Sequence, residues 1–443
     1  MNKCPTIAAI ATPLMKCAIH IIRISGTNCY EIVNKITSKK ITKRAYTIQH
    51  VNICDHDKIV DDVLVLKYVA PKSYTGEDMI EITCHGSPFI ANKIVELLVI
   101  NGAQIASPGE FTKRAFLSKK INLLQAEGIN NLINSNSNAS LKIAHKSIDK
   151  KTSEKINEIV SSLFLIIGQV EVNIDYPEYD DVPQISNKEI KTRLTKIIKS
   201  LNNIVDNSNK VIPYVNGINV AIVGKPNVGK SSLLNAILNE NKAIVSSVPG
   251  TTRDIIQYSA IIGDIAYNFI DTAGIHTPNN KIEKIGIKLS KNTIKKAQLI
   301  LFVVDGSKKA SKEDRQIYKL IKNKNHITVI NKSDIKQLKT DFAGVKVSAK
   351  TRNINNLINE INKSTLNYDA DLDVVLPSQN DINLVKSVIN ILNRVFVKLN
   401  NKEPLDLLIE DLKLSHNKLL GILGQNDDFD LVNELFKNFC VGK

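Results

Sequence analysis

Hydrophobic and polar positions in the first part of the chain follow patterns typical of both strands and helices. Val63–Leu66 and Ile80–Thr83 are short, apolar or alternating runs that predict strands. Pro88–Ile100 carries apolar residues at helical spacing and has proline in its opening turn, which predicts a helix. We therefore expect a mixed α+β domain over residues 1–120.

Beyond that domain, the apolar spacing is helical over 121–212 and again over 379–443. Between them, at 213–378, short apolar runs alternate with helical segments, and Gly263-Asp264 is typical of a hairpin turn. The predicted strands of this region are Ile218–Val223, Ile255–Ile262, Ile265–Ile270, Leu299–Val304 and Ile327–Ile330. This alternation favours a mainly parallel α/β domain, inserted in an all-α helical domain.

Composition narrows the class of protein. With 443 residues, of which 43% are hydrophobic and 23% charged, the chain suits a folded protein of two or three domains. No apolar run approaches the roughly 20 residues that a membrane span needs. Six cysteines without a Cys-x-x-Cys pair argue against a zinc ribbon or a disulfide framework and favour the cytoplasm. A net charge of +15 would attract nucleic acid or an anionic membrane, although biased codon usage is an alternative explanation.

A phosphate-binding motif opens the predicted α/β domain. Residues 224–231, G-K-P-N-V-G-K-S, fit G-x-x-x-x-G-K-[ST] and lie between a predicted strand and a predicted helix. The glycines allow backbone N–H groups to surround phosphates at a helix N-terminus. Lys230 is expected to neutralise the β- and γ-phosphates, and the Ser231 hydroxyl is expected to hold Mg²⁺.

Two further motifs complete the pattern of a GTP site. Asp271-Thr272-Ala273-Gly274 follows one predicted strand, where Asp271 can reach the Mg²⁺ shell and the Gly274 amide can approach the γ-phosphate. Asn331-Lys332-Ser333-Asp334 follows another, and its last carboxylate can accept two hydrogen bonds that guanine offers and adenine does not. Ser348-Ala349-Lys350 can place a backbone amide near the guanine oxygen. The three motifs in this order predict a GTP-binding enzyme, a GTP hydrolase.

The segment Gly250-Thr251-Thr252-Arg253-Asp254 occupies the position of a first switch. Thr252 is the expected second hydroxyl ligand of Mg²⁺. Arg253 is either a catalytic finger or a solvated side chain at the start of a strand.

The residue after Asp-Thr-Ala-Gly is Ile275, where many small GTPases have the glutamine that orients the attacking water. Another group must therefore stabilise the transition state. Glu283 is the nearest acidic residue on the expected second switch, although the same pattern also fits an ordinary helix-surface glutamate.

A second group of motifs lies outside the nucleotide site, towards both ends of the chain. They are Ile7–Pro13, Ile22–Gly26, Ser73–Asp78, Cys84–Gly86, Pro108–Phe116 and the terminal Phe439–Lys443. Together with the GTP motifs, from about residue 6 to the last, they resemble the MnmE (TrmE) family of tRNA-modification GTPases.

The resemblance implies four segments: an N-terminal tetrahydrofolate-binding and dimerisation domain (1–120), two helical segments (121–212 and 379–443) and a GTPase domain (213–378). It also implies K⁺-activated GTP hydrolysis. In this family that reaction serves the conversion of the wobble uridine of certain tRNAs to its 5-carboxymethylaminomethyl or aminomethyl form. The implied carbon donor is 5,10-methylenetetrahydrofolate or a related tetrahydrofolate. The implied assembly is a homodimer that joins the FAD-binding MnmG (GidA) protein in a heterotetramer.

The resemblance also implies roles for individual residues. The K⁺ ligands would be Asn227, Ser246, Val248 and Thr251, and the catalytic set would be Glu283, Lys230 and Thr251. Folate would contact Arg23, Glu81, Lys120 and Lys443, the first three of which otherwise look like ordinary surface charges. The full set expected to contact GTP is Asn227, Val228, Gly229, Lys230, Ser231, Ser232, Ser246, Ser247, Val248, Pro249, Gly250, Thr251, Thr252, Asp271, Thr272, Ala273, Gly274, Asn331, Lys332, Asp334, Ser348, Ala349 and Lys350.

Some positions depart from the family pattern or leave alternatives open. Leu14–Ile19 replaces a glycine-rich stretch, and His85-Gly86-Ser87 replaces His-Gly-Gly, both near the expected folate pocket. Cys440 is either a reactive thiol or a small buried hydrophobe. Two rival functions are a regulatory GTPase of ribosome assembly that binds rRNA and a GTP-bound scaffold without catalysis. The first usually carries a dedicated RNA module after its GTPase domain, whereas only helical spacing follows residue 379 here.

Overall fold

A computed structural model describes most of the chain in two compact units. The described residues are 5–175, 185–240, 243–244, 258–270, 294–335, 340–365, 372–426, 435–436, 439–440 and 442. The first unit comprises 1–130, 153–197 and 387–443, and the second comprises 131–152 and 198–386. The predicted division into four segments, with an inserted GTPase domain, stays a prediction.

The first unit contains a six-stranded sheet. Its strands are β1 (Ile7–Ile10), β2 (Ile19–Ser25), β3 (Thr47–Asp55), β4 (Lys58–Tyr68), β5 (Met79–His85) and β6 (Gln104–Ile105). The spatial order is β3-β4-β5-β2-β1-β6, and every neighbouring pair is antiparallel except β1 and β6. In β4, Val63 and Val65 are buried while Leu64 is exposed, so only one face of the sheet is covered.

Two helices cover that face. They are α1 (Cys29–Asn34) and α2 (Pro88–Ile100). The bounds of α2 are those predicted from the sequence. Ile94 and Leu98 of α2 pack in one core with Ile24 of β2 and Ile82 of β5. Proline fits the first turn of a helix because its missing N–H would have no partner there.

The remaining helices in the described part of the chain follow in sequence. They are α3 (Glu110–Leu117), α4 (Leu123–Ile133), α5 (Asn138–Ile148), α6 (Lys151–Asp175), α7 (Asn187–Asn216), α8 (Lys230–Glu240), α9 (Lys312–Ile321), α10 (Asn355–Thr365), α11 (Gln379–Asn400) and α12 (Asp406–Leu423). None of the described helices is both long and apolar enough to cross a membrane. The predicted break at Asp175-Tyr176-Pro177 coincides with the end of α6, and its last two residues lie outside the described residues.

The second unit contains a seven-stranded sheet. Its strands are β7 (Ile218–Val223), β8 (Ala243–Ile244), β9 (Tyr258–Ile262), β10 (Ile265–Ile270), β11 (Leu299–Asp305), β12 (His326–Asn331) and β13 (Val345–Lys346). The order is β13-β12-β11-β7-β10-β9-β8, and β9 runs antiparallel to both of its neighbours. All seven residues of β11 are buried, which explains its continuous apolar run.

This sheet confirms the predicted mainly parallel α/β region. The predicted runs at 218–223 and 265–270 match β7 and β10, and Gly263, with φ +61°, forms the predicted turn between β9 and β10. Residues 255–257 of the predicted second strand lie outside the described residues. The register pairs Asp305 of β11 with Asn331 of β12. The carboxyl ends of β7, β11 and β12 therefore meet at one edge of the sheet, where ligands bind in open α/β folds.

Candidate functional site

The phosphate loop leaves β7 and enters α8 through two positions that require glycine. Gly224 has φ +156°, and a Cβ there would lie 2.3 Å from the Val303 carbonyl oxygen. Gly229 has φ +92°, and a Cβ there would lie 2.3 Å from Nδ2 of Asn331. Since real Cβ atoms do not approach other atoms so closely, both positions exclude side chains. The loop is thus fitted against β11 and β12.

Lys230 lies across this loop. Its Nζ donates hydrogen bonds to the carbonyl oxygens of Gly224, at 2.9 Å, and Lys225, at 2.8 Å. Burial lowers the pKa of Lys230 from its ordinary value. A phosphate beside this ammonium group would favour its charged form, so the position suits an anionic ligand. Ser231 is half-buried in the first turn of α8, as expected for a hydroxyl next to the loop.

The side chain of Asn331 joins the phosphate loop to the segment that follows β13. Its Nδ2 donates to the Val228 carbonyl oxygen at 2.9 Å, and its Oδ1 accepts from the Ala349 backbone N–H at 3.1 Å. Asn331 is 3% exposed, so neither contact faces competition from bulk water. Three of the sequence motifs are therefore brought together through one amide.

Lys332 connects the same loop to the end of β11. Its Nζ donates to Oδ2 of Asp305 at 2.7 Å and to the Asn227 carbonyl oxygen at 3.2 Å. Lys332 itself has φ +65° and Asn227 has φ +63°. Both values lie in the left-handed region that residues other than glycine rarely adopt. Burial acts to raise the pKa of Asp305, but hydrogen bonds from Lys332 and Ser307 outweigh it and hold that pKa below its usual range. This carboxylate stays ionised and fixes the lysine.

Asp334, the residue expected to recognise guanine, is exposed. Its Oδ1 accepts a hydrogen bond from the Ser348 hydroxyl at 2.7 Å. That bond, with one from its own backbone N–H, lowers the pKa of Asp334, and the charge of Lys350 acts in the same direction. An ionised carboxylate accepts hydrogen bonds only, which is what the N1–H and 2-amino groups of guanine require. Lys350 and Ser232 are exposed.

A link that the sequence did not suggest holds the phosphate loop from its other side. Lys225 donates to Oδ2 of Asp314 at 2.8 Å and to the Ser311 hydroxyl at 3.3 Å. Burial acts to raise the pKa of Asp314, but its bonds with Lys225 and Ser311 lower that pKa. Ser311 and Asp314 also form the capping box of α9. This Ser-x-x-Asp pattern signals only a helix start, and its role beside the loop depends on the tertiary fold.

The switch segments lie outside the described residues. The predicted site residues that lie outside the described residues are Ser246, Ser247, Val248, Pro249, Gly250, Thr251, Thr252, Asp271, Thr272, Ala273, Gly274, Glu283 and Lys443, together with Arg253 and Ile275. Their roles stay predictions.

The expected folate residues Arg23 and Glu81 are in contact in the first unit. They face each other on the neighbouring strands β2 and β5, and an Arg23 nitrogen lies 2.7 Å from Oε1 of Glu81. Their side chains are only 16% and 14% exposed, which corrects the view of them as ordinary surface charges. The Tyr68 hydroxyl donates to the other carboxylate oxygen of Glu81 at 3.2 Å. Arg23 also donates to the Gly442 carbonyl oxygen at 3.1 Å.

Aromatic rings flank this ion pair. The guanidinium carbon of Arg23 lies 5.4 Å from the ring centre of Tyr74 and 5.5 Å from that of Phe111, within the range of cation–π attraction. Lys120 donates to the backbone carbonyl of Ser73, next to Tyr74. Three of the four expected folate residues are thus described. Arg23 lies over the two rings, Glu81 pairs with Arg23, and Lys120 bonds the residue before Tyr74.

The described residues of the C-terminal tail contact the first unit at two glycines. Gly109, with φ +68°, packs against Phe436 and Phe439, and its N–H donates to the Cys440 carbonyl oxygen at 3.2 Å. Gly442 has φ +90°, and a Cβ there would lie 2.6 Å from the Ile10 carbonyl oxygen. Cys440 itself is exposed, so its interpretation as a small buried hydrophobe is wrong.

The stretch that departs from the family pattern packs beside His85. The Cys17 N–H donates to the Gly86 carbonyl oxygen and the Gly86 N–H donates to the Ala18 carbonyl oxygen, both at 3.0 Å. A Cβ on Gly86 would lie 2.0 Å from the Cys17 carbonyl oxygen. The stretch Leu14–Ile19, which replaces the family's glycine-rich stretch, is therefore closely packed against Gly86.

Comparison with known proteins covers almost the whole chain. A family model described as the GTP-binding protein TrmE N-terminus matches residues 6–120, and one described as the MnmE helical domain matches 123–440. The protein named tRNA modification GTPase MnmE from Malacoplasma penetrans is 48% identical over 99% of both chains. Its namesake from Ureaplasma parvum serovar 3 is 44% identical over 99% of this chain and 100% of that one. A crystal structure of Era from Aquifex aeolicus is 34% identical over 39% of this chain and 56% of its own, with a TM-score of 0.21 that adds nothing to the assignment.

Replacing Asn331 by alanine tests the amide bridge. The change removes two buried hydrogen bonds, so we expect a loss of about 1–3 kcal/mol in the folding stability of the second unit and a clear loss of GTP affinity. Calorimetric titration with GTP and thermal unfolding measure the two effects. Asn353→Ala is the matched control, because Asn353 is exposed and its bonds to Ser348 use only the backbone. Equal behaviour of the two variants would contradict the bridge.

Proposed function

Because the chain belongs to the MnmE family of tRNA modification GTPases, we propose that it couples GTP hydrolysis to the modification of a uridine in tRNA. The family supports the tRNA part of the proposal, and the observation that carries its GTP-binding part is the amide of Asn331, which binds both the phosphate loop and the segment expected to face guanine. One side chain thus serves both ends of a nucleotide. A guanine nucleotide spanning these two segments accounts for this arrangement.

Different residues of the nucleotide site bind the phosphates and the base of GTP. The ammonium group of Lys230 neutralises the β- and γ-phosphates, and the ionised carboxylate of Asp334 accepts the N–H groups of guanine. The Ser231 hydroxyl, with Thr252, would hold Mg²⁺, which supplies positive charge to the phosphate oxygens. Glu283 orients the attacking water. The loop geometry supports the role of Lys230, because its ammonium group is held against the carbonyl oxygens of Gly224 and Lys225 in the phosphate loop.

K⁺ activation deepens this proposal. Asn227 is exposed, and its backbone carbonyl already accepts a hydrogen bond from Lys332. Its side-chain amide oxygen is therefore the ligand that would face a cation. Ser246, Val248 and Thr251 would supply the remaining ligands of the K⁺ ion. Such an ion would add positive charge beside the phosphates, which Ile275 cannot provide. Thr251 belongs to the catalytic set through this contact.

Tetrahydrofolate fits the site in the first unit by its chemistry. A pterin ring offers N–H donors that a carboxylate such as Glu81 can accept, and it presents a flat face to aromatic neighbours such as Tyr74. Arg23 holds Glu81 in place beside the ring, and the cations Lys120 and Lys443 suit the carboxylates of the folate tail. When bound, the folate supplies the one-carbon unit, and these residues bind and orient it.

The wider assembly is also proposed from the family. The chain would act as a homodimer in the cytoplasm, in a heterotetramer with the FAD-containing MnmG (GidA) partner. The modified product would be 5-carboxymethylaminomethyl or aminomethyl uridine at the wobble position. The net charge of +15 supports an encounter with tRNA, because positive charge attracts its phosphates.

Asp334→Asn should change base preference. An amide can donate to the 2-oxygen of xanthine but cannot accept both N–H groups of guanine, so we expect GTP affinity to fall by more than about tenfold. Xanthosine triphosphate should become the better substrate. Competition binding with the two nucleotides measures this preference. Unchanged GTP affinity would contradict the assignment.

Exchange of K⁺ for Na⁺ at constant ionic strength should slow GTP turnover by at least about tenfold, because loss of charge stabilisation raises the barrier. Steady-state phosphate release measures the rate, and nucleotide binding in both salts separates binding from turnover. Equal rates in the two salts would refute the role of K⁺.

Deletion of residues 440–443 should abolish tetrahydrofolate binding and uridine modification, since it removes both the Gly442 carbonyl at Arg23 and Lys443. Equilibrium dialysis with tetrahydrofolate and nucleoside mass spectrometry measure the two losses. GTP binding, measured in parallel, verifies that the second unit of the shortened chain is folded, and thermal unfolding verifies the first. Retained modification would count against the folate site.

A further inference from the structure

A run of positive charge connects α1 to β3 in the first unit. Between Glu31 and Asp55 the sequence has no carboxylate but five cations, namely Lys35, Lys39, Lys40, Lys43 and Arg44. All five are exposed. The run ends at Tyr46, whose side chain is 67% exposed. An exposed aromatic ring beside cations is the combination that single-stranded nucleic acids favour.

The backbone of this run is fixed. Ile41 is 2% exposed and anchors the run in the core, and its N–H and carbonyl both bond the side chain of Asn34, at 2.5 and 3.4 Å. Gln49 donates to the Lys40 carbonyl oxygen at 3.0 Å, and Thr47 donates to that of Arg44 at 2.9 Å. The cations are therefore presented from an ordered backbone, which lowers the entropic cost of binding.

Four of these five cations have unbalanced charge. Lys43 pairs with Asp78 at 2.5 Å. Within the part of the chain that the structure describes, Lys35, Lys39, Lys40 and Arg44 form no ion pair. Their charges are available to a polyanion.

Tyr46 adopts an unusual backbone conformation. Its φ is +55°, and its N–H donates to the Lys67 carbonyl oxygen at 2.8 Å. Its ring meets that of Tyr68 edge to face, with centres 6.0 Å apart and planes at 88°. A non-glycine residue in the left-handed region costs conformational energy, and such positions cluster at functional sites.

A chain of side-chain contacts connects the Tyr46 ring to the proposed folate site. Tyr68, which contacts Tyr46, donates its hydroxyl to Glu81, and Glu81 pairs with Arg23. A base stacked on Tyr46 would therefore lie two side chains away from the Arg23–Glu81 pair.

We propose that Lys39, Lys40, Arg44 and Tyr46, the basic–aromatic surface, bind unpaired nucleotides of the substrate tRNA. The cations contact phosphates and the Tyr46 ring stacks a base, two side chains away from the Arg23–Glu81 pair of the proposed folate site. This inference rests on the proposed function and names the surface that delivers its substrate. An anionic membrane would also bind the cations, but it would make no use of a ring that is connected through Tyr68 to the Arg23–Glu81 pair.

The charge contribution is tested with the triple change Lys39→Gln, Lys40→Gln and Arg44→Gln in the full chain. We expect tRNA affinity to fall by more than about tenfold, and the salt dependence of log Kd to lose about two units of slope, since each single-strand phosphate contact contributes roughly 0.7. Fluorescence anisotropy with labelled tRNA at several salt concentrations measures both. The matched control is Lys188→Gln, Lys196→Gln and Lys199→Gln on exposed positions of α7, which should bind within about twofold of the unchanged chain.

The ring contribution is tested with Tyr46→Ala and Tyr46→Phe. Loss of a stacked base should weaken tRNA binding about 5- to 150-fold in the first variant, whereas phenylalanine should preserve it. Thermal unfolding of each variant verifies its fold.

The possible outcomes separate this surface from the proposed function. If the unchanged chain binds tRNA and the triple variant binds it equally well, or if the α7 control loses as much affinity, the surface is wrong and the proposed function stands. If the unchanged chain does not bind tRNA, both fail. If the triple variant keeps tRNA but loses binding to phosphatidylserine vesicles, the surface is a membrane contact and the proposal is overturned.

Discussion

The buried amide of Asn331 is the interaction on which the nucleotide site depends. Its position is set by the register of β11 and β12, which also brings Asp305 beside it. Because an amide both donates and accepts, it can bind Val228 and Ala349 at once, and a carboxylate or a hydroxyl of similar size could not do so in the same way. The same amide requires glycine at position 229, since a side chain there would occupy the space of the Asn331 amide.

The two sites share one arrangement, in which a residue in the left-handed region accepts a hydrogen bond from a cation through its backbone carbonyl. In the first unit Gly442 accepts from Arg23, and in the second Asn227 accepts from Lys332. In both cases the cation also pairs with a carboxylate, Glu81 or Asp305. Charged groups taken out of water need such complete pairing to be tolerated. Each site is thus ordered by its own protein contacts before a ligand binds.

Sequence reasoning succeeded where the chemistry is local. The phosphate loop and the strands that flank it could be predicted because the glycines, Lys230 and the apolar runs are close in sequence. The pair of Lys225 and Asp314 could not, because it joins residues that only the fold brings together. Arg23 and Glu81 were placed in one site only by resemblance, since their pairing depends on the register of β2 and β5. The short strands β1 and β6 were missed because their apolar runs are too brief to predict a sheet.

The central claim is that this GTPase serves the modification of tRNA uridine. Mass spectrometry of tRNA nucleosides from cells that lack the chain tests it most directly, with the unchanged chain or a Lys230→Ala form supplied in turn. The account predicts that the 5-substituted wobble uridine disappears, returns with the unchanged chain and does not return with the variant. An unaltered nucleoside profile in cells without the chain would contradict it.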